Sequence, residues 1–162
     1  IVNNIREALT KEYPPDEFFM KNFITFDFNV ERAKYVLGKI EYYINPPAEK
    51  RIDWEQVHLE HIIPKKIKTQ KSKKEYGDWE KYLGNDAEKH KDNLNKIGNL
   101  TLLQYKLNIN ASNHVFKEKR KNYKQSDIQI TQDLCDYRFF KIKNLNDRSK
   151  KLSQYAEKIW RF

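Results

Sequence analysis

The chain has 162 residues, a formal net charge of +9 at pH 7 and a hydrophobic fraction of 38%. This length suits one domain with a packed core, and the hydrophobic fraction excludes a disordered polymer despite the high charge. The only cysteine is Cys135, which excludes a disulfide or a CxxC zinc knuckle. No signal peptide is recognisable and no apolar run approaches the roughly 20 residues of a membrane span. We therefore expect a cytoplasmic protein without a membrane partner.

Residues 1–50 are predicted to form a helical scaffold. Within 31–44 the apolar residues recur at helical spacing. They are Ala33, Val36, Leu37, Ile40 and Ile44. Pro46 and Pro47 are expected to end this helix. The chain begins with Ile1 rather than Met, which favours a fragment of a larger multidomain protein.

Residues 51–125 follow a different pattern, predicted as strand, long loop, strand and helix. The stretch 56–63 is rich in β-branched and apolar residues and is followed by Pro64, as expected for a short strand. A Lys-rich connection with a short helix around 78–83 leads to a second strand at 96–104. A polar helix is then predicted directly after that strand, from about 108 to 123.

Residues 126–162 are predicted to be a second helical scaffold. The stretch 147–160 places its apolar residues on one helical face. They are Leu152, Tyr155, Ala156, Ile159 and Trp160. The prediction is therefore a single, mostly helical α+β domain covering 1–162.

The lysines are concentrated in the middle of the chain, in KKIKTQKSKK and FKEKRKNYK. A basic balance of this size favours a polyanionic partner, and nucleic acid before membrane, because no stretch pairs its lysines with a broad apolar face. Lysine as the default surface residue of a Lys-rich proteome is the alternative. Composition leaves both explanations open.

The stretch HLEHIIP places Glu60 directly before His61 on the first predicted strand. Successive strand residues face opposite sides, so both cannot point into one apolar core, and one of them needs a polar use. A carboxylate beside an imidazole suits hydrolysis, because the carboxylate can hold a hard cation while the neutral imidazole takes a proton from water. Asn99 and Asn108 follow later in the sequence and carry hard oxygen donors as well.

Three ordered motifs carry a family resemblance: HLEHIIP, NKIGNLTLL and LNINASNHVFKEK. They resemble the HNH (His-Me finger) nuclease motif as it occurs in the C-terminal domain of GmrSD-type restriction endonucleases. The helix before the motifs and the closing pattern of DR, L, A and IW fit the same family, so the resemblance covers nearly the whole chain. It implies a ββα-metal core flanked by N- and C-terminal helices.

The resemblance implies a role for each matching residue. Glu60 and Asn108 would be metal ligands, and His61 would be the general base. Asn99 would pin the loop between the strands and orient the base, with a purely structural role as the alternative. Because many HNH proteins have His where Asn108 stands, the amide points to one divalent Mg²⁺ or Mn²⁺ ion.

No structural zinc is expected, because the cysteine pairs of some HNH folds are absent. Packing of Leu100, Leu102 and Leu103 would replace them. Asn110 rivals Asn108 as ligand, and Ser112 lies one predicted helical turn beyond Asn108 on the same side.

His58 shares a predicted strand face with Glu60. It is therefore either a residue that contacts a metal ligand or a phosphate, or a partly exposed strand residue. No partner can be named for His90 or His114.

Four basic residues at the end of the third motif and just after it are candidates for binding DNA phosphates, with an ordinary solvated face as the alternative. They are Lys117, Lys119, Arg120 and Lys124.

The function expected from the resemblance is metal-dependent hydrolysis of double-stranded DNA, by nicking or cutting, in prokaryotic restriction and anti-phage defence. The family context adds an N-terminal nucleotide-hydrolysing domain and modified DNA as a target. The alternative is a catalytically inactive basic module that binds DNA or docks a partner subunit.

Overall fold

A computed structural model describes residues 16–46 and 52–160, in which helices surround a two-stranded antiparallel sheet. Residues 1–15, 47–51 and 161–162 lie outside the described residues, and so do the predictions made for them, including the one for Pro47. The mostly helical α+β fold is confirmed. The helices are α1 Asp16–Thr25, α2 Val30–Ile44, α3 Gln70–Tyr76, α4 Trp79–Leu83, α5 His90–Asn93, α6 Tyr105–Ala111, α7 Phe116–Tyr123, α8 Gln129–Gln132 and α9 Ile142–Trp160. The strands are β1 Val57–His61 and β2 Leu100–Gln104.

The helix predicted over 31–44 from its apolar spacing is confirmed as α2. The Asn29 side chain caps its first turn by accepting a hydrogen bond of 2.9 Å from the backbone N–H of Arg32. Its buried face is formed by Ala33, Leu37 and Ile40, all fully buried. The helix ends at Ile44, as expected from the prolines that follow.

Helix α9 begins at Ile142, five residues before the predicted start. The buried residues Ile142 and Leu145 extend its apolar face toward the N-terminus. Its Arg148, only 4% exposed, donates from Nη1 to the backbone carbonyl oxygens of Gly98 at 3.0 Å and Leu100 at 2.7 Å. Burial lowers the pKa of this guanidinium to about 10, so it stays charged at neutral pH. Arg148 therefore ties α9 to the start of β2.

The closest backbone approach in this joint is at Gly98, in the 3₁₀ turn Ile97–Asn99. A Cβ at Gly98 would lie 2.1 Å from the carbonyl oxygen of Leu145 and 2.3 Å from Oγ of Ser149. The Gly98 N–H also donates to Ser149 Oγ at 3.1 Å. A side chain at position 98 would separate α9 from the turn that leads into β2.

The two strands pair with His61 opposite Leu100 and Glu60 opposite Thr101. Directly paired residues share a face of the sheet. His61 therefore lies on the face whose Leu100 packs with α2, whereas Glu60 lies on the face covered by α7. The expected opposite orientation of these two neighbours is confirmed.

The predicted helix over 108–123 is wrong in its bounds. This stretch forms two helices, α6 and α7, and α6 ends at Ser112, which has a positive φ of 40°. Ser112 caps α6 by donating its backbone N–H to the carbonyl of Asn108 at 2.9 Å. α6 also begins earlier than predicted, immediately after β2.

Among the described residues, no helix is both long and apolar enough to cross a membrane.

Candidate active site

His61 is the last residue of β1 and is partly buried. Its Nε2 lies 3.3 Å from Oδ1 of Asn95. Burial lowers the pKa of His61 from 6.5 to about 4, against the opposing effect of the Asn95 hydrogen bond. The imidazole is therefore neutral at neutral pH. With Asn95 Oδ1 as the acceptor, Nε2 carries the proton and Nδ1 keeps a free lone pair.

Asn99 joins the segment after β1 to the segment before β2. Its Oδ1 accepts from the backbone N–H of Ile63 at 2.8 Å, and its Nδ2 donates to the carbonyls of Ile63 at 3.0 Å and Leu94 at 2.9 Å. The backbone carbonyl of Asn99 also accepts from the N–H of Ile62 at 2.9 Å. These bonds fix the chain on both sides of the His61–Asn95 contact. In the described part of the chain the Asn99 side chain bonds to backbone atoms and not to the imidazole, so its geometry is that of a loop anchor.

His90, for which the sequence indicated no partner, is buried at the start of α5. Its Nε2 is 2.8 Å from the carbonyl oxygen of Pro64, the last residue of HLEHIIP. His90 therefore holds the far end of the segment that begins at His61.

Glu60 is 6% exposed and contacts two residues of α7. Its Oε1 accepts from Lys119 Nζ at 2.6 Å and from the Tyr123 hydroxyl at 2.9 Å. Lys119 Nζ also donates to the backbone carbonyl of His61 at 2.7 Å. Burial raises the pKa of Tyr123 well above its usual value, so Tyr123 stays protonated and donates. The end of β1 is thus bound to α7 through a buried ion pair.

This contact corrects the prediction that Lys119 binds DNA. The side chain is 0% exposed, so its ammonium is not available to a phosphate. Arg120 is partly buried and donates from Nη2 to the carbonyl of Cys135 at 2.9 Å. Lys117 and Lys124 are exposed, as their predicted role requires.

Asn108 lies on α6, which packs against both strands. Its Oδ1 is buried and has no hydrogen-bond partner in the described part of the chain. A buried amide oxygen without a partner is costly, and a hard cation is one group that would satisfy it. Asn110, its rival, is exposed.

The donor set can be tested against a divalent ion. Within 16–46 and 52–160, no group of three or more His, Cys, Asp or Glu residues is arranged to hold a metal. A carboxylate from Glu60 and the unpaired oxygen of Asn108 are nevertheless hard donors of the type that Mg²⁺ accepts with few protein ligands. In the chemistry of their donor atoms, these two residues suit an oxygen-ligated Mg²⁺ or Mn²⁺ ion.

The structure gives the remaining candidates contacts outside the residues described above. His58 is exposed on β1, and its ring centre lies 5.0 Å from that of Tyr105. The His114 ring packs edge-on against Tyr76 at 5.1 Å. The helical premise for Ser112 is wrong, because it ends α6 rather than continuing it.

Sequence reasoning missed Asn95 and Tyr123 as neighbours of the site, and it assigned Lys119 to the surface. A signal for Lys119 exists: Phe116, Lys119 and Tyr123 follow a spacing of three and four, which places the lysine within an apolar stripe. No comparable signal exists for Asn95, because its position depends on the irregular segment before β2.

Comparison with protein families gives a match over residues 13–155 to the family described as GmrSD restriction endonucleases, C-terminal domain. The comparison with curated proteins gives no match.

Proposed function

Because the chain belongs to the family of GmrSD restriction endonuclease C-terminal domains, we propose that it is a metal-dependent HNH endonuclease that hydrolyses phosphodiester bonds of double-stranded DNA. The observation that carries the proposal is the His61 imidazole, which is neutral, partly buried and held at Nε2 by Asn95. A fixed neutral imidazole with a free lone pair is suited to accept a proton from water.

In this proposal His61 removes a proton from the attacking water through Nδ1. Asn95 fixes the tautomer and the ring orientation by holding the other nitrogen. Asn99 holds the backbone of Ile63 and His90 holds the carbonyl of Pro64, and these contacts would keep the base from shifting. General-base catalysis contributes roughly 10²- to 10⁴-fold, so removal of the imidazole should nearly abolish turnover.

Glu60 and Asn108 would hold one Mg²⁺ or Mn²⁺ ion. When bound, the ion would polarise the scissile phosphate and stabilise the leaving 3′ oxygen. The unpaired Asn108 Oδ1 supports this assignment.

DNA would be held mainly through its phosphates. The exposed Lys117 on α7 and Lys124 just after it are suited to that contact. In the longer protein an N-terminal nucleotide-hydrolysing domain would control the nuclease, in prokaryotic defence against foreign DNA that carries modifications.

The test is conversion of supercoiled plasmid to nicked or linear DNA, with Mg²⁺, with Mn²⁺ and with EDTA. We expect cleavage by the wild type only with a divalent ion. His61→Ala should lose cleavage while its DNA affinity stays within a few fold, because a base acts in the transition state and contributes little ground-state binding.

The matched control is His58→Ala, which removes the exposed histidine of the same strand. Its activity should remain within a few fold of the wild type. Cleavage by His61→Ala at the wild-type rate would overturn the assignment of the base. Wild-type protein that binds DNA but never cuts it, with either metal, would instead favour an inactive DNA-binding module.

A further inference from the structure

Glu60, the carboxylate proposed to bind the metal, already lies beside the ammonium group of Lys119. Lys119 Nζ lies 2.6 Å from Glu60 Oε1 in a contact from which solvent is almost excluded, with side chains that are 0% and 8% exposed. This lysine also donates to the backbone carbonyl of His61. It is therefore a fixed part of the site and cannot rotate into solvent without breaking both bonds.

The formal charges of the assigned residues cancel. Glu60 contributes −1, Lys119 contributes +1, and the amide of Asn108 contributes none. A divalent cation at Glu60 would then face an ammonium a few ångströms away in a buried environment, where charges repel more strongly than in water. A DNA phosphate could supply the negative charge that the Glu60–Lys119 pair does not offer to the divalent ion.

We propose that Lys119 is a built-in counter-cation that keeps the metal affinity of the free protein low, so that the divalent ion binds tightly only together with a DNA phosphate. The inference rests on the proposed function and concerns the same site. Metal and DNA would bind with positive cooperativity, and by linkage each would raise the affinity for the other by the same factor. In this role Lys119 acts on the metal through Glu60 and does not contact the substrate.

A purely structural ion pair makes a different prediction. If Lys119 only joined β1 to α7, its removal would loosen the strand and could not improve a metal site. If Lys119 opposes the metal, its removal leaves a buried carboxylate without its cation, and a divalent ion can take that place. A gain of metal affinity therefore separates the two explanations.

The first experiment measures Mn²⁺ binding to protein without DNA, from the loss of the free-ion signal in electron paramagnetic resonance. We expect Lys119→Met to bind Mn²⁺ at least about tenfold more tightly than the wild type. The matched control is Tyr123→Phe, which removes the other hydrogen bond to the same Glu60 oxygen without removing a charge. Its affinity should change by less than about threefold.

The second experiment does not depend on the folding of Lys119→Met. Mn²⁺ affinity is measured for His61→Ala protein with and without a short DNA duplex, since this variant should not cut the DNA. The duplex should raise the affinity at least about tenfold. Adding Asn108→Ala should remove that gain, which separates the site from Mn²⁺ held by DNA alone.

Three outcomes would overturn the inference: equal Mn²⁺ affinity with and without DNA, a gain from DNA that survives Asn108→Ala, or a folded Lys119→Met protein without a gain. Each can occur while wild-type protein still cuts plasmid in Mg²⁺ or Mn²⁺, so the inference can fail alone. A wild-type protein that neither cuts DNA nor gains Mn²⁺ affinity on binding it would overturn the proposed function as well.

Discussion

At the end of β1, the side chains of the candidate site are held in place by hydrogen bonds to neighbouring asparagines. His61, the proposed base, is fixed by an asparagine from the segment before β2, and that segment is fixed by a second asparagine, Asn99. A misplaced base costs rate even when it is chemically intact, because catalysis depends on near-attack geometry. Changes behind His61 should therefore lower turnover more than binding.

Asn95→Ala tests this relation. We expect its single-turnover cleavage rate to fall by about tenfold to a hundredfold, because the imidazole loses the partner that fixes its tautomer. DNA affinity should change little. The matched control is Asn93→Ala, since Asn93 donates to the carbonyl of Lys89 instead of contacting His61. Similar cleavage rates for the two variants would show that the Asn95 contact is not used.

Asn108 and Asn110 lie two residues apart in the sequence and differ in their surroundings. Asn108 Oδ1 is buried without a partner, whereas Asn110 is exposed. We expect Asn108→Ala to raise the Mg²⁺ concentration needed for half-maximal cleavage by about tenfold, since Mg²⁺ relies on few protein contacts. Asn110→Ala should leave it nearly unchanged. A larger effect at Asn110 would reverse the choice of ligand.

At the scale of elements, the sheet depends on α9 for its position. The 3₁₀ turn before β2 contacts α9 so closely at Gly98 that no Cβ fits, and Arg148 binds the carbonyls of the same turn. The contact between α9 and the turn therefore positions Asn99, the last residue of the turn, for its hydrogen bonds to the segment after β1.

Gly98→Ala should therefore lower the free energy of unfolding by about 2 kcal/mol or more, because overpacking forces the backbone apart. Gly38→Ala is the control within α2, where the nearest atom to an added Cβ is a Trp54 carbon at an ordinary 3.7 Å. There alanine should be neutral or stabilise by roughly 0.5–1 kcal/mol. Chemical denaturation of both variants measures the difference, and a Gly98→Ala protein as stable as the wild type would show that α9 can shift freely.

The elements differ in how far the sequence predicts them. Regular apolar spacing was sufficient for α2, and β-branched and apolar content was sufficient for β1. The second strand, predicted over 96–104, begins only at Leu100, because residues 97–99 form a 3₁₀ turn. The break between α6 and α7 was not predicted, because Ser112 takes a positive φ that its residue type does not favour. The ion pair between Glu60 and Lys119 was missed since composition treats lysine as a surface residue, whereas tertiary contacts determine which lysine is buried.

For the whole molecule, the high positive charge should act mainly on DNA affinity. Replacing the exposed Lys117 and Lys124 by alanine should weaken binding to all sequences alike and lower the salt slope by about 1 per lost phosphate contact. Filter binding over a range of salt concentrations measures this slope. Lys143→Ala with Lys150→Ala is a control of equal charge on α9, where both residues are exposed and lie outside the two lysine-rich stretches. Equal slopes for both double variants would assign Lys117 and Lys124 to an ordinary solvated surface.

The domain alone is expected to discriminate poorly among DNA substrates. Base edges are read mainly by Arg, Lys, Asn and Gln side chains on an element that enters a groove, whereas phosphate contacts carry no sequence information. The exposed positions of α6 and α7 are Tyr105, Lys106, Ile109, Asn110, Lys117 and Lys121. This set holds three lysines, a single amide and no arginine. Lysine is the usual phosphate contact, so the set suits backbone contact better than base reading.

We therefore expect the isolated domain to cut unmodified plasmid slowly and with little sequence preference. The family is that of a C-terminal domain, so selectivity and control would come from the region that precedes it, which would favour or restrain a cutting-competent position on DNA. Mapping of cleavage ends on modified and unmodified DNA side by side tests this expectation. A sharp consensus at the cut sites, or a strong preference for the modified substrate, would place recognition within these helices, and the exposed side chains of α6 would then be the first to replace.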